Sequence, residues 1–354
     1  MIEKQQKAFF SVGLLNWNEN NNHRPMPWKG EKDPYKIWLS EIILQQTRVE
    51  QGLAYYERFI FSFPTVEALA KASDESIFKL WEGLGYYSRC RNLIYTARHI
   101  VNELGGVFPS TIVGLLSLKG VGVYTAAAIG SFAFGLPQAV VDGNVLRVLS
   151  RYFGISSPID ETSGKAEFAK LAQELINPDH PATYNQAIMD FGATMCKPML
   201  PRCDECPFNK TCMANREGKQ SEYPVKSPKK KPRDRWFYYL LLEHKGDFLV
   251  TQRTGTGIWE NLHEFILKEE TSSLDNNDLL DASYWNLAAL SFSVEQAKLS
   301  DEFTHQLTHQ RIYARFLRLE VDFKFEIEGF QWRSVEELNQ IAFPRLITKY
   351  LEMA

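Results

Sequence analysis

The run GKQSEYPVKSPKKKPRDR, residues 218–235, divides the chain into two parts that follow different periodicities. It is rich in Pro, Ser and Lys and carries no apolar repeat, so it reads as a linker. Before it, DPYKIWLSEIILQQTRVEQGLAYYERFI runs apolar at helical spacing, and Pro34 suits a first helical turn. After it, RWFYYLLLEHKGDFLVTQR predicts two strands around a Lys-Gly-Asp turn, RIYARFLRLEVDFKFEIEGFQW two more, and SVEELNQIAFPRLITKYLEM a closing helix. With 354 residues and a hydrophobic fraction of 44%, both parts can bury a core. The expectation is a multidomain chain: an all-α domain over residues 1–216, a basic linker over 217–235 and an α+β domain over 236–354.

The net charge of -3 hides an asymmetry. Lys and Arg stand at 29 against 24 Asp and Glu over residues 1–235, and at 11 against 19 over 236–354, so a nucleic-acid face is expected mainly in the first part. The opening MIEKQQKAFF has no apolar leader and no run of eighteen apolar residues occurs, which predicts a soluble cytoplasmic protein with no membrane partner. In that compartment thiols stay reduced, so crowded cysteines point to a metal. Four of the five, Cys196, Cys203, Cys206 and Cys212, lie in CKPMLPRCDECPFNKTC with six, two and five residues between successive sulfurs. Structural zinc usually takes two Cys-x-x-Cys knuckles and only Cys203 and Cys206 form one, so the spacing favours a 4Fe-4S cluster while leaving zinc open. Cys90 stands apart in YYSRCRNL and reads as a small buried hydrophobe.

Residues 109–135, PSTIVGLLSLKGVGVYTAAAIGSFAFG, predict a short helix capped by Ser110, a tight glycine turn and a second helix that stops at Gly135. Gly120 and Gly122 let the backbone turn sharply and offer N–H groups beside a helix N-terminus, a place for a phosphate. The same segment suits an ordinary helical hairpin.

The order LKGVGVYTA, VVDGNVLRVLSR, then Cys-x6-Cys-x2-Cys-x5-Cys resembles the endonuclease III superfamily of DNA glycosylases. PMPWKGEKDPYKIWLSEIILQQTRV, WEGLGYYSRCRNL, the extra C-terminal domain and FTHQLTHQRI narrow the resemblance to MutY-type adenine DNA glycosylases, over nearly the whole chain. The resemblance implies an all-α helix-hairpin-helix glycosylase domain with a 4Fe-4S loop at 196–212, followed by an α+β nudix-like domain for lesion recognition. It implies a monomer that excises adenine opposite 8-oxoguanine or guanine in double-stranded DNA, at the bacterial nucleoid.

Such excision needs an acid to help the base leave and a carboxylate to face a cationic sugar. Glu41, among Leu39, Ile42, Ile43 and Leu44, has surroundings that keep a proton near neutrality, and it occupies the family's catalytic glutamate position. Gln45 follows one turn on, with Gln46 beside it. Asp142 has the setting of a helix N-cap, whose hydrogen bonds would keep it ionised, and is the second carboxylate; Asn144 is its polar partner. Tyr124 stands where strand-cleaving relatives carry a Schiff-base lysine, which predicts a monofunctional glycosylase. Gln46 and Tyr86, or its neighbour Tyr87, are candidates to fill the gap left by a flipped nucleotide. Arg89, Arg91, Lys197, Arg202 and Lys210 are candidates for phosphate contacts.

The cluster is expected to order a basic loop too poor in apolar residues to fold unaided. The C-terminal domain lacks the Glu-rich box of nudix hydrolases and is expected to bind rather than hydrolyse. Thr308 and His309 lie where the family shows Phe-Ser-His, with Thr keeping the hydroxyl and Leu307 losing the ring. Lys29 stands where an arginine is common after Pro-Trp. Competing readings are a bifunctional glycosylase/lyase and a non-catalytic DNA-damage binder.

Overall fold

The computed structural model describes residues 3–26, 28–228, 231–287 and 296–353. The chain forms two compact units, Met1–Ala70 with Tyr95–Pro228, and Lys71–Ile94 with Lys229–Ala354. Helices run in the order α1 (Lys4–Asn21), α2 (Pro34–Leu44), α3 (Val49–Ser62), α4 (Val66–Lys71), α5 (Asp74–Trp81), α6 (Tyr87–Leu104) and α7 (Ile112–Leu116). They continue as α8 (Val123–Phe134), α9 (Gly143–Phe153), α10 (Thr162–Leu175), α11 (Pro181–Thr194) and α12 (Met213–Arg216).

Local chemistry sets the ends of these helices. The Asp33 carboxylate accepts from the Tyr35 N–H at 2.9 Å ahead of Pro34, which opens α2. Gly135 and Gly154, both left-handed, close α8 and α9. The cap of α7 is Thr111, whose hydroxyl accepts from the Gly114 N–H at 3.2 Å, and not Ser110 as expected. Within the first unit, α1, α9, α10 and α11 enclose a core in which the rings of Phe10, Tyr152, Phe191 and Phe208 pack together.

That core corrects the reading of the cysteine loop. Among the described residues no group of three or more His, Cys, Asp or Glu side chains is placed to hold a metal ion. The expected 4Fe-4S cluster, and with it the iron-sulfur and metal-binding character of the domain, is withdrawn. Other forces order the loop. Phe208 is only 2% exposed, its ring centroid 5.0 Å from that of Phe10 and 5.4 Å from those of Tyr152 and Phe191. Arg151 donates to the carbonyls of Lys197 at 2.6 Å and Pro198 at 3.0 Å, and Arg147 to that of Cys196 at 2.8 Å. One buried ring and two arginines thus do what the small apolar content of the loop had assigned to a metal. Burial pushes the Cys206 thiol up to about 12 and raises those of Cys203 and Cys212. Cys196, Cys206 and Cys212 pack against the core as small apolar groups, and Cys90 is fully buried.

Residues beyond α12 turn back along the first unit. Val225 O accepts from Ile159 N at 3.0 Å, and the Asp160 carboxylate accepts from Ser227 N at 3.0 and 3.2 Å. Of the linker expected over 217–235, residues 229 and 230 lie outside the described residues.

The second unit is built on a mixed sheet of β1 (Arg233–His244), β2 (Asp247–Gln252), β3 (His263–Glu264), β4 (Ile266–Glu270), β5 (Ala297–Leu299), β6 (Phe303–Gln306), β7 (Gln310–Glu320) and β8 (Phe330–Ser334). The central order is β3-β2-β1-β7-β5, with β4 on β1, β6 on β7 and β8 on β2. β1 and β7 are parallel from Arg233↔Gln310 to Glu243↔Glu320. Residues 237–242 of β1 are all buried, so this strand is covered on both faces. The turn predicted at Lys-Gly-Asp joins β1 to β2. The predicted closing helix is two short ones, Val335–Leu338 and Arg345–Leu351, the second starting after Pro344. In the same unit the α5–α6 segment bonds to the closing connection: the Glu82 carboxylate accepts from Phe343 N at 2.9 Å and Lys79 donates to Ile341 O at 3.0 Å.

Candidate active site

A cavity of about 720 Å³ opens in the first unit, lined among others by Glu41, Gln45, Gln46, Tyr124, Asp142 and Asn144. Residues from three separate segments therefore meet as expected from the sequence. α2 carries Glu41 inward, leaving it 9% exposed. Burial pushes its carboxyl up to about 7, the Tyr124 hydroxyl pulls it down by hydrogen bonding, and the charge of Asp142 pushes it up. Burial, with Glu41 and Asp142 near, likewise lifts the Tyr124 hydroxyl well above its ordinary range, and that hydroxyl donates to Met189 Sδ at 3.7 Å.

Asp142 is the N-cap of α9. Its Oδ1 accepts from Val145 N at 2.8 Å and its Oδ2 from Asn144 Nδ2 at 2.7 Å. These bonds were expected to hold it ionised, and they do pull its pKa down, but burial outweighs them and the net shift is upward. The two carboxyls still differ in kind, since only Asp142 has backbone N–H donors of a helix start. Asn144 is held in turn: its Oδ1 accepts from Arg147 Nη2 at 2.8 Å, and that nitrogen also donates to Gly192 O at 2.7 Å. Gly192 is required there, because a Cβ would meet the Asn144 Cβ at 2.6 Å.

Gln45 donates to Thr125 Oγ1 at 3.2 Å, and Gln46, exposed, takes a left-handed φ of 57°. In the hairpin, Gly120 has φ 83° and needs to be glycine, whereas Gly122 is extended and serves as the N-cap of α8. Sequence reasoning did not single out Arg24, Gln186, Met189 or Asp190. The first three line the cavity, as does Lys29, and the buried Asp190 carboxylate bonds Arg24, Lys29 and Gln186.

In the second unit, Tyr86 is 46% exposed with φ 49°, while Tyr87 is buried, which distinguishes the two tyrosines. The Tyr86 hydroxyl lies 3.1 Å from Thr308 Oγ1. Thr308 and His309 are exposed at the β6–β7 turn, closed by Leu307 N to Gln310 O at 2.8 Å and by Arg233 N to His309 O at 3.0 Å. Arg89 is buried, its guanidinium 5.1 Å over the Trp81 ring and donating to Gly85 O at 3.2 Å, a loop-holding position. Arg91 pairs with Glu260 at 3.1 Å and the exposed Arg202 with Glu205, while Lys197 and Lys210 are also exposed. Among the described residues no helix is long and apolar enough to cross a membrane.

Comparison with known proteins follows the same division. Residues 39–178 match the HhH-GPD superfamily of base excision DNA repair proteins, and residues 237–353 match the NUDIX domain. The chain is 30% identical over 353 residues to the adenine DNA glycosylase of Buchnera aphidicola subsp. Acyrthosiphon pisum (strain APS), covering 98% of this chain and 97% of that one. It is 31% identical over 401 residues to the adenine DNA glycosylase of Homo sapiens, covering 96% and 73%. A thermostable thymine-DNA glycosylase matches with a TM-score of 0.56 at 31% identity, over 60% of this chain and 98% of that one. Endonuclease III in a non-covalent DNA complex matches with a TM-score of 0.54 at 21% identity, over 62% and 99%, a likeness of fold.

Proposed function

The chain belongs to the adenine DNA glycosylases of the HhH-GPD superfamily, and on that premise we propose that it hydrolyses the N-glycosidic bond of adenine opposite 8-oxoguanine or guanine in double-stranded DNA. The observation that carries this reading is the pairing of a Glu41 carboxyl near 7 with an Asp142 anchored on a helix start in one cavity. Glu41 gives its proton to a ring nitrogen of adenine, the C1′–N bond breaks, and its electron pair leaves with the base. The ionised Asp142 carboxylate faces the cationic sugar until water adds to C1′ and gives up a proton. Asn144 fixes the Asp142 carboxylate, and Tyr124 lines the cavity with Glu41.

Strand cleavage would need an amine at the sugar. Tyr124 has none, and the cavity's two lysines are engaged, Lys29 with Asp190 at 3.5 Å and Lys32 with Phe132 O at 3.0 Å. This supports monofunctional action. Gly120, Gly122, Lys197 and Lys210 are suited to phosphates, while Gln46 and Tyr86 suit the gap left by the flipped nucleotide. Chemistry is assigned to residues 1–216, a link to 217–235, and recognition of the oxidised base to Thr308 and His309 within 236–354. Both carboxyls come from one chain, which suits a monomer working on cytoplasmic DNA. Single-turnover excision from an adenine:8-oxoguanine duplex, with borohydride present, tests the reading. Adenine release without trapped adduct is expected, and efficient trapping with strand cleavage would overturn the monofunctional assignment.

A further inference from the structure

We infer that Asp190, on α11, is a positioning residue for the base-binding wall of the cavity: its carboxylate fixes Arg24 and Lys29 against the flipped purine. The inference rests on the excision of adenine proposed above. The Asp190 side chain is fully buried, and both its oxygens are saturated. Oδ1 accepts from Arg24 Nη1 at 2.9 Å and Gln186 Nε2 at 3.0 Å; Oδ2 accepts from Asn22 Nδ2 at 2.9 Å and Lys29 Nζ at 3.5 Å. A carboxylate has about four acceptor positions, so all are used.

Three of those donors, Arg24, Lys29 and Gln186, line the same cavity as Glu41. Asn22, Arg24 and Lys29 belong to the connection between α1 and α2, whose described residues form no helix or strand. Such a connection has no ladder of its own to set the direction of its side chains. A buried carboxylate that would be left uncompensated without its cations supplies the missing constraint from a rigid helix. The consequence is chemical: a purine offers ring-nitrogen acceptors, and donors held at fixed points set how its ring meets the Glu41 proton. A displacement of about 1 Å in such an arrangement costs on the order of 100-fold in rate.

The test is single-turnover excision from the adenine:8-oxoguanine duplex by the full chain, Asp190→Asn, Arg24→Gln with Lys29→Gln, and all three together. Asp190→Asn is expected to slow excision by about 10- to 100-fold. Its affinity for a duplex carrying an abasic-site analogue, which has no base to position, is expected to stay within about twofold. Because Asp190 acts through the two cations, the triple variant should be no slower than the Arg24→Gln, Lys29→Gln pair. A normal rate for Asp190→Asn, or losses that multiply in the triple variant, would overturn the inference. If Asp190→Asn does not fold, the Arg24→Gln, Lys29→Gln pair carries the test alone, and a normal rate in it overturns the inference equally. A wild type that excises no adenine refutes instead the functional reading on which this rests.

Discussion

The cavity around Glu41 and Asp142 and the turn at Thr308 and His309 use short polar groups in opposite ways. In the first, burial denies water to both carboxyls and lifts both above their ordinary values. In the second, the side chains are exposed and the backbone is fixed by Leu307 to Gln310 and Arg233 to His309, with the Thr308 hydroxyl facing that of Tyr86. The difference teaches where each kind of function belongs. Proton transfer needs a group whose ionisation is displaced, so it has to be buried among partners. Reading a base edge needs donors and acceptors that remain available, so it belongs on a stiff, exposed turn.

The comparison breaks if the two regions respond alike to loss of their side chains. Glu41→Gln and Asp142→Asn should each slow adenine release by roughly 1,000-fold, while binding of mispaired DNA persists. The wild-type rate should fall as pH rises through about 7, because Glu41 acts as an acid and its protonated form is then lost. A single-turnover pH profile that stays flat from 6 to 8 would detach Glu41 from that role. Thr308→Ala with His309→Ala should leave adenine release competent and shift the preference for 8-oxoguanine over guanine by about 1 to 3 kcal/mol, read as a rate ratio at fixed salt. A loss of excision as large as that in Glu41→Gln would erase the distinction. The smallest effect is expected from Tyr86→Phe, which removes only the hydroxyl facing Thr308. About 0.5 to 1.5 kcal/mol of the same preference should go with it, measured on the same pair of duplexes.

Glu41, Tyr124 and Asp142 were legible because each sits in a local pattern: a glutamate inside an apolar helix, a residue after a glycine turn, a helix cap. Burial at Asp142 was not legible, since an N-cap pattern reports its hydrogen bonds and says nothing of the atoms packed over it. Arg24 and Asp190 escaped for another reason. They lie 166 positions apart, and no spacing along the chain signals a pair made by tertiary packing. The only trace was an aspartate four residues after Gln186, set after Ile188 and Met189 and before Phe191 in the sequence. The cysteine spacing misled in the opposite direction. Proximity in sequence argued for a shared metal, whereas Phe208, Arg147 and Arg151 organise the loop through contacts with distant residues. In the second unit β1, β2, β7 and β8 were readable from apolar and aromatic runs, the short strands β3 to β6 were not, and the single closing helix failed at Pro344.

Gln46 and Tyr86 occupy left-handed backbone without being glycine, at φ 57° and 49°. A protein engineer ranking substitutions by stability would write glycine at both, relieving strain on the order of 1 kcal/mol at each position. Both replacements would pass a thermal-shift screen, and both would delete a side chain that stands exposed on the surface. Thermostabilised versions of this chain are therefore best designed with positions 46 and 86 held constant, because there the most favourable backbone and the side chain proposed to meet DNA are mutually exclusive.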